Sequence, residues 1–261
     1  MTQVVLAVLA KDKAHILPIF LDCLLHQDYP KQNIHLYIRT NDNNDSTATV
    51  LKEFIHIHGS SYGSVFYNDS DIQPLLKTFG QHEWNAIRFK VLGKIRQESI
   101  DYAVKLGADY FVVDCDNLIR PFTLSRMIGL RNFRVVSPML ESRTAYSNYH
   151  YSVDENGYLK EDDFYHKVLH RDISGVIQVA VVHCTYYIHN NVLKDVSYDD
   201  ESYRYEYVIF SDTLRKKGIP QNLDNRVSYG FISFAEGKED AMKDYSTTLL
   251  LALKSNQCPP V

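Results

Sequence analysis

Asp109-Tyr110-Phe111-Val112-Val113-Asp114-Cys115-Asp116-Asn117 is the stretch on which the fold of this chain turns. Its first half is an apolar run of strand length, and its second half is a carboxylate-rich turn. Upstream, Trp84–Leu106 carries helical spacing, with Ile87, Val91, Ile95, Ile100 and Val104 near one face, and Gly107 suits a left-handed cap. Downstream, Pro121 and Thr123 open a further helix, and Arg134–Leu140 reads as the next strand. A buried strand that ends in two acids, between two helices, is one unit of a wound α/β sheet.

The same alternation runs back to the N-terminus. Val4–Ala10 reads as a strand, His15–His26 as a helix started by Pro18, and Ile34–Arg39 as a second strand. Asp45 or Ser46 can cap a helix that runs toward His58, and Ser64–Tyr67 is a third short strand before a polar segment over Asn68–Gln81. Strands separated by helices pair in parallel, with helices on both faces, and ligands sit beyond the carboxyl ends of such strands. Three polar segments fall at those ends: Lys11–Lys13, Thr40–Asp45 and Asp114–Asn117. The second half is mixed. Asn156-Gly157 signals a hairpin, Gly175–Ile188 one or two strands around His183, Tyr203–Lys217 a helix and Ser228–Phe234 a last strand. No linker divides the chain. The expectation is one mostly parallel α/β domain over 1–261, with a nucleotide-binding half at 1–140 and an acceptor-side half at 141–261.

Composition narrows the function. The chain has 261 residues and a net charge of −4, with 28 basic and 32 acidic side chains, which argues against a nucleic-acid partner. No apolar run is long enough for a transmembrane segment. Val4–Ala10 lacks the basic lead of a secretory signal, so a cytoplasmic protein is expected. Cys23, Cys115, Cys184 and Cys258 are too scattered for a zinc site or a disulfide framework. Asp114 and Asp116, two apart on an extended backbone, can share one side. Oxygen-only ligation suits Mg²⁺ or Mn²⁺ completed by phosphate oxygens. A solvated turn with Asp116 capping the Pro121 helix is the bland alternative.

Several ordered segments carry a resemblance. They are Val5–His15, Leu24 through Asp28-Tyr29-Pro30, Thr40–Asp45, the span from Trp84 through Arg96 to Leu124, Val136–Ser142 with Tyr146–Asn148, Val182–Thr185, and Tyr229–Phe231. Together these blocks resemble GT-A glycosyltransferases, in particular the N-terminal glycosyltransferase domain of procollagen galactosyltransferases. The resemblance implies a GT-A, Rossmann-like fold and transfer of a hexose, galactose or glucose, from a UDP-sugar to an acceptor hydroxyl, with inversion. It implies Mn²⁺ or Mg²⁺ on Asp116 and Asp114, with His183 as a further ligand. Lys11, Thr40, Asp42, Asp45, Arg96, Asp114 and Asn117 would face the donor. The family's Asp-Asp pair before an apolar helix falls on Tyr205-Glu206, so Glu206 is the expected catalytic base, with Asp199 and Asp200 as rivals. A His expected two residues before the late Tyr-Gly is Val227 here, which removes a possible metal ligand.

Other readings are a catalytically degenerate nucleotide-binding domain, a phosphatase with an aspartate nucleophile, and a nucleotidylyltransferase. The phosphatase wants its Asp pair on the first strand, and the nucleotidylyltransferase wants a Gly-rich loop there. Finally, 19 Tyr and 12 Phe stand against one Trp. The clusters Tyr146, Tyr149, Tyr151 and Tyr186, Tyr187, Tyr198, Tyr203, Tyr205, Tyr207 suit either a core or the wall of an acceptor cleft in which a sugar stacks.

Overall fold

Val4–Ala10 (β1) is apolar at every position, and both of its faces are covered. Val4, Leu6 and Val8 pack into one core with Phe20, Leu51, Phe54 and Met127, while Val5 and Ala7 pack into the other with Ile100, Ala103 and Phe210. A continuous apolar strand is what a two-sided sheet needs. In the computed structural model, which describes residues 1–80 and 83–254, the following elements are α1 (Leu17–Leu25), β2 (Ile34–Thr40), α2 (Thr47–His58), β3 (Ser64–Asn68), α3 (Ala86–Leu106) and β4 (Asp109–Val113). Then come β5 (Asn117–Ile119), α4 (Thr123–Gly129), β6 (Val135–Pro138), β7 (Tyr149–His150), β8 (Ser152–Val153) and β9 (Leu159–Lys160). The rest are α5 (Asp163–Leu169), β10 (Val176–Val179), β11 (Val181–Val182), β12 (Thr185–Ile188), α6 (Glu206–Lys216), β13 (Gln221–Asp224), β14 (Gly230–Ile232) and α7 (Lys238–Lys254).

The main sheet has eight strands in the order β10-β13-β6-β12-β4-β1-β2-β3. β3, β2, β1 and β4 pair in parallel, as the first half predicts. β12 enters antiparallel between β4 and β6, β13 pairs parallel with β6, and β10 closes the edge antiparallel to β13. From β1 the order runs through β2 to β3 on one side and turns to β4 and later strands on the other. In open sheets such a reversal marks where ligands bind, beyond the carboxyl ends of the strands, and Asp114 and Asp116 follow β4 at that end.

The strand count over Gly175–Ile188 and the buried face of α3 are corrected, and two further strand features stand beside them. Gly175–Ile188 forms three strands, because the backbone breaks twice, and Cys184 takes a φ of 62°. β13 was not anticipated: Gln221–Asp224 is polar by sequence, yet Gln221 and Asn222 are buried and hydrogen-bonded to backbone. β14 does not join the main sheet but pairs with β5, a short strand after the acidic turn. The buried face of α3 is rotated from the aliphatic stripe: Arg88, Phe89, Gly93, Ile95, Arg96, Ser99, Ile100 and Ala103 are buried, and Ile87 is exposed. The hairpin at Asn156-Gly157 is present as β8 and β9. Gly107 ends α3 with φ 63°, and Asn85 caps its start by accepting from the Arg88 amide at 3.1 Å. Among the described residues no helix is long and apolar enough to cross a membrane. Cys258 and Gln81 lie outside the described residues.

Candidate active site

The loop after β1 and the loop after β2 are tied together by side chains that accept backbone N–H groups. Asp45 takes the amides of Ala14 and Thr47, each at 2.9 Å, so Asp45 rather than Ser46 holds the start of α2. Asn43 Oδ1 takes the Asp12 amide at 2.9 Å, and Thr47 Oγ1 takes the Lys13 amide at 2.7 Å. Asp42, fully buried with φ 49°, reaches the next segment: its Oδ2 accepts from the amides of Ile72 (3.1 Å) and Gln73 (3.2 Å), and its own amide donates to Asp71. Its other oxygen is buried without a partner among the described residues. Thr40 is buried and accepts from Asn43 Nδ2 at 2.6 Å, while Lys11 pairs with neighbouring Asp12. These bonds tie the loops after β1 and β2 to each other and to the segment at 71–73.

The acidic turn then meets two cations. Arg96, buried on α3, donates from Nη2 to both Asp114 oxygens at 2.9 and 3.0 Å. The same guanidinium puts Nε 3.4 Å from Oε1 of Glu206, the first residue of α6. Arg96 therefore bridges β4 and α6 rather than pairing along its own helix. Gly93 allows the approach: a Cβ there would lie 3.0 Å from the Tyr198 carbonyl and 3.4 Å from Glu206 Cβ. Lys13 Nζ lies 3.0 Å from Asp116 Oδ2, so Asp116 does not cap the Pro121 helix.

Burial governs the protonation of this set. It pushes the Glu206 carboxyl up; Arg96 opposes and Asp114 adds to the rise, and the net shift is upward. Asp114 is likewise raised by burial, with Arg96 opposing and Asp116 reinforcing. For Lys13, burial pulls down, but attraction to Asp116 and its neighbours outweighs it and the ammonium is held more firmly. Glu206 Oε2 and Arg96 Nη1 are buried without hydrogen-bond partners among the described residues. A desolvated carboxylate with a raised pKa and a free oxygen is fitted to take a proton.

Two expected site residues sit elsewhere. Asn117 is fully buried in β5 and donates to Thr185 Oγ1 at 2.7 Å, which joins the acidic turn to β12 instead of facing a ligand. His183 is not brought to the carboxylates: its Nδ1 faces Cys184 Sγ at 2.9 Å and its ring packs against Tyr146, His150 and Tyr207. Burial, then His150 and Arg96, push its pKa well below the ordinary imidazole value. Among the described residues no three His, Cys, Asp or Glu side chains converge to hold a metal ion. The two carboxylates of the motif already carry protein cations, so the residues present do not fit a resident divalent ion.

The tyrosines divide. Tyr149, Tyr186, Tyr187 and Tyr198 are core residues, and Tyr203 is almost fully exposed at 84%. A different aromatic line borders the site. Trp84 stacks near Phe89, Phe89 stacks on Tyr205 at 3.8 Å, and Tyr205 meets Tyr207 edge-on. The line continues through His183 and Tyr146 to Phe234. Trp84, Tyr146 and Phe234 are exposed. Sequence reading missed Phe89, Trp84 and Lys13 as site residues; only the position of Lys13 just past β1 hinted at it.

The model of the glycosyltransferase family 25 N-terminal domain matches residues 1–252. The chain belongs to glycosyltransferase family 25. Within the family, it is 31% identical over 241 residues to a human protein named procollagen galactosyltransferase 2, covering 88% of this chain and 38% of that one. It is 26% identical over 256 residues to a mouse protein named inactive glycosyltransferase 25 family member 3, covering 95% and 43%. The chain thus spans about two-fifths of the length of these curated relatives. Solved structures place the fold among GT-A enzymes. S. aureus TarS residues 1–349 with UDP-GlcNAc aligns over 99% of this chain and 68% of that one, with TM-score 0.58 and 13% identity. The mannosyltransferase PcManGT from Pyrobaculum calidifontis, in complex with GDP-Man and Mn²⁺, aligns over 99% of this chain and 66% of that one, with TM-score 0.55 and 13% identity.

Proposed function

We propose that this domain transfers a hexose, galactose or glucose, from a UDP-sugar to an acceptor hydroxyl with inversion. The observation that carries the reading is Glu206: a buried carboxylate with one unpartnered oxygen, held by Arg96 beside the acidic turn at the end of β4. In this reading the acceptor oxygen attacks the anomeric carbon and forms the new glycosidic bond. The bond from that carbon to the β-phosphate oxygen breaks, and its electron pair leaves with UDP. The acceptor proton passes to Glu206 Oε2. The unpartnered oxygen of buried Asp42 suits an N–H or hydroxyl of the nucleoside, in keeping with the donor role expected of Thr40, Asp42 and Asp45. The exposed rings of Trp84, Tyr146 and Phe234 suit a glycan on the acceptor, because a sugar's CH face stacks on a ring.

The Mn²⁺ or Mg²⁺ expected from the acidic motif has a counterpart in the Mn²⁺ of the PcManGT complex, but not in the described residues of this chain. The present partners of Asp114 and Asp116 oppose it, and no step above is routed through a metal. A second reading, a nucleotide-binding domain without turnover, is favoured by Val227 at the position expected for His and by the inactive mouse relative.

A panel of UDP-galactose, UDP-glucose and UDP-GlcNAc in a thermal-shift assay, followed by UDP-release measurements on the binders, tests both. Binding with UDP release supports the transferase. Binding without release over varied acceptors supports the second reading, and no binding by any donor refutes both.

A further inference from the structure

We infer that Lys13 is a built-in cation that takes the place of a metal ion between the acidic turn and the donor diphosphate. The inference rests on the UDP-sugar reading of the site. Its starting point is the contact between Lys13 Nζ and Asp116 Oδ2 at 3.0 Å. Both side chains keep partial exposure, 24% and 32%, so a ligand can reach the ammonium while it holds the carboxylate. An ammonium with three donors can hold one carboxylate and still turn toward a diphosphate.

The backbone around Lys13 is fixed in a way a solvated loop lysine does not require. Its amide donates to Thr47 Oγ1, its carbonyl accepts from the amides of Ile16 and Leu17, and the residue before it takes φ 54°. Asp116 is fixed on the opposite side by its carbonyl, which accepts from the Ser233 amide at 2.8 Å. Asp114 is engaged by Arg96 through both oxygens. The carboxylates that would hold a divalent ion are therefore each occupied by a cation of the protein. Among the described residues no third His, Cys, Asp or Glu converges with Asp114 and Asp116, His183 included.

The chemistry follows. As the anomeric carbon–oxygen bond breaks, its electron pair accumulates on the β-phosphate oxygen. Lys13 stabilises that charge as a hydrogen-bond donor and point charge, without giving up a proton. The acceptor proton goes to Glu206 as above, so the transfer balances with UDP as the leaving group and no added ion.

Isothermal titration of the intact chain with UDP, in EDTA and then with Mn²⁺, tests the inference, together with Mn²⁺ binding followed by electron paramagnetic resonance. The expected result is UDP binding in EDTA that Mn²⁺ leaves nearly unchanged, and no tight Mn²⁺ site in the nucleotide-free protein. Lys13→Ala should weaken UDP binding in EDTA by about 10- to 100-fold, the range for a charge-assisted hydrogen bond. It should also gain Mn²⁺ binding at the freed Asp116. Lys13→Arg, which keeps the charge and the stem, should retain most of the metal-free binding and guards against a folding defect in the alanine variant. UDP binding that appears only with Mn²⁺ overturns the inference and leaves the UDP-sugar reading standing. UDP that binds under neither condition overturns both.

Discussion

Replacing Arg96 by Met removes the cation that pairs with both Asp114 and Glu206, and it keeps much of the volume. Breaking a buried charge pair by deleting one partner costs about 3–5 kcal/mol, because the remaining charge stays desolvated. Here Glu206 is 5% exposed and carries that penalty almost fully, while the Asp114 side chain keeps 25% and can reach water. The low end, about 3 kcal/mol at pH 8, is the expected loss. That corresponds to roughly 6–12 °C in Tm for a chain of this size.

The pH dependence supplies the sharper test. Without Arg96, burial and mutual repulsion raise both carboxyl pKa values further above their unfolded values. A group raised on folding binds a proton in the native state that the unfolded chain has released. Its contribution is fully present below the unfolded carboxylate pKa and lost as pH rises through the folded one. The variant should therefore regain stability relative to the parent as pH falls from 8 to 5, by about 1.4 kcal/mol for each unit of added rise. Urea unfolding followed by circular dichroism at pH 5, 6.5 and 8 measures it. Adding Glu206→Gln to Arg96→Met should restore a large part of the loss at pH 8. A loss under about 1 kcal/mol, or one that does not vary with pH, would refute the buried bridge.

Two further changes probe the site and its frame. Glu206→Gln should lower kcat for sugar transfer by about 10²- to 10⁴-fold while UDP binding by calorimetry is retained; in the parent, log kcat/KM should fall toward acid through a pKa above the ordinary glutamate value, because burial raises it. Equal activity in the glutamine variant transfers the base role to Asp199 or Asp200. Gly230→Ala should destabilise the fold by about 2–4 kcal/mol in urea melts, because φ is 156° and the new Cβ would stand 2.3 Å from the Leu118 carbonyl oxygen of β5. An unchanged melt would mean that the β5–β14 pair contributes little to holding the acidic turn.

The strand–helix alternation of the first half was legible because each strand there is a local run. β1 is apolar throughout, β4 is apolar after Asp109, β2 alternates Ile34, Leu36 and Ile38 with more polar residues, and Gly107 and Asp45 mark helix ends by their own chemistry. β13 and β14 were harder. Gln221 and Asn222 are polar residues inside a sheet, acceptable only because distant carbonyls such as those of Ala180 and Val135 accept their side-chain amides. The tyrosine excess mixed two populations that sequence cannot separate: Tyr149, Tyr186 and Tyr187 fill the core, whereas Tyr205 and Tyr207 border the site.

By itself, the sequence determined the α/β architecture and the family, and it singled out the acidic turn after β4 as the candidate site. These depend on periodicity and on ordered motifs, which are properties of the chain read in line. Tertiary structure decided which charges meet. Lys13 and Asp116 are 103 residues apart, and Arg96 joins an aspartate on β4 to a glutamate at the head of α6. Electrostatic partnership falls off over a few ångströms, so it is set by how the helices and loops pack and not by spacing along the chain. The motif therefore marks where negative charge is gathered, and the fold selects the cations that answer it.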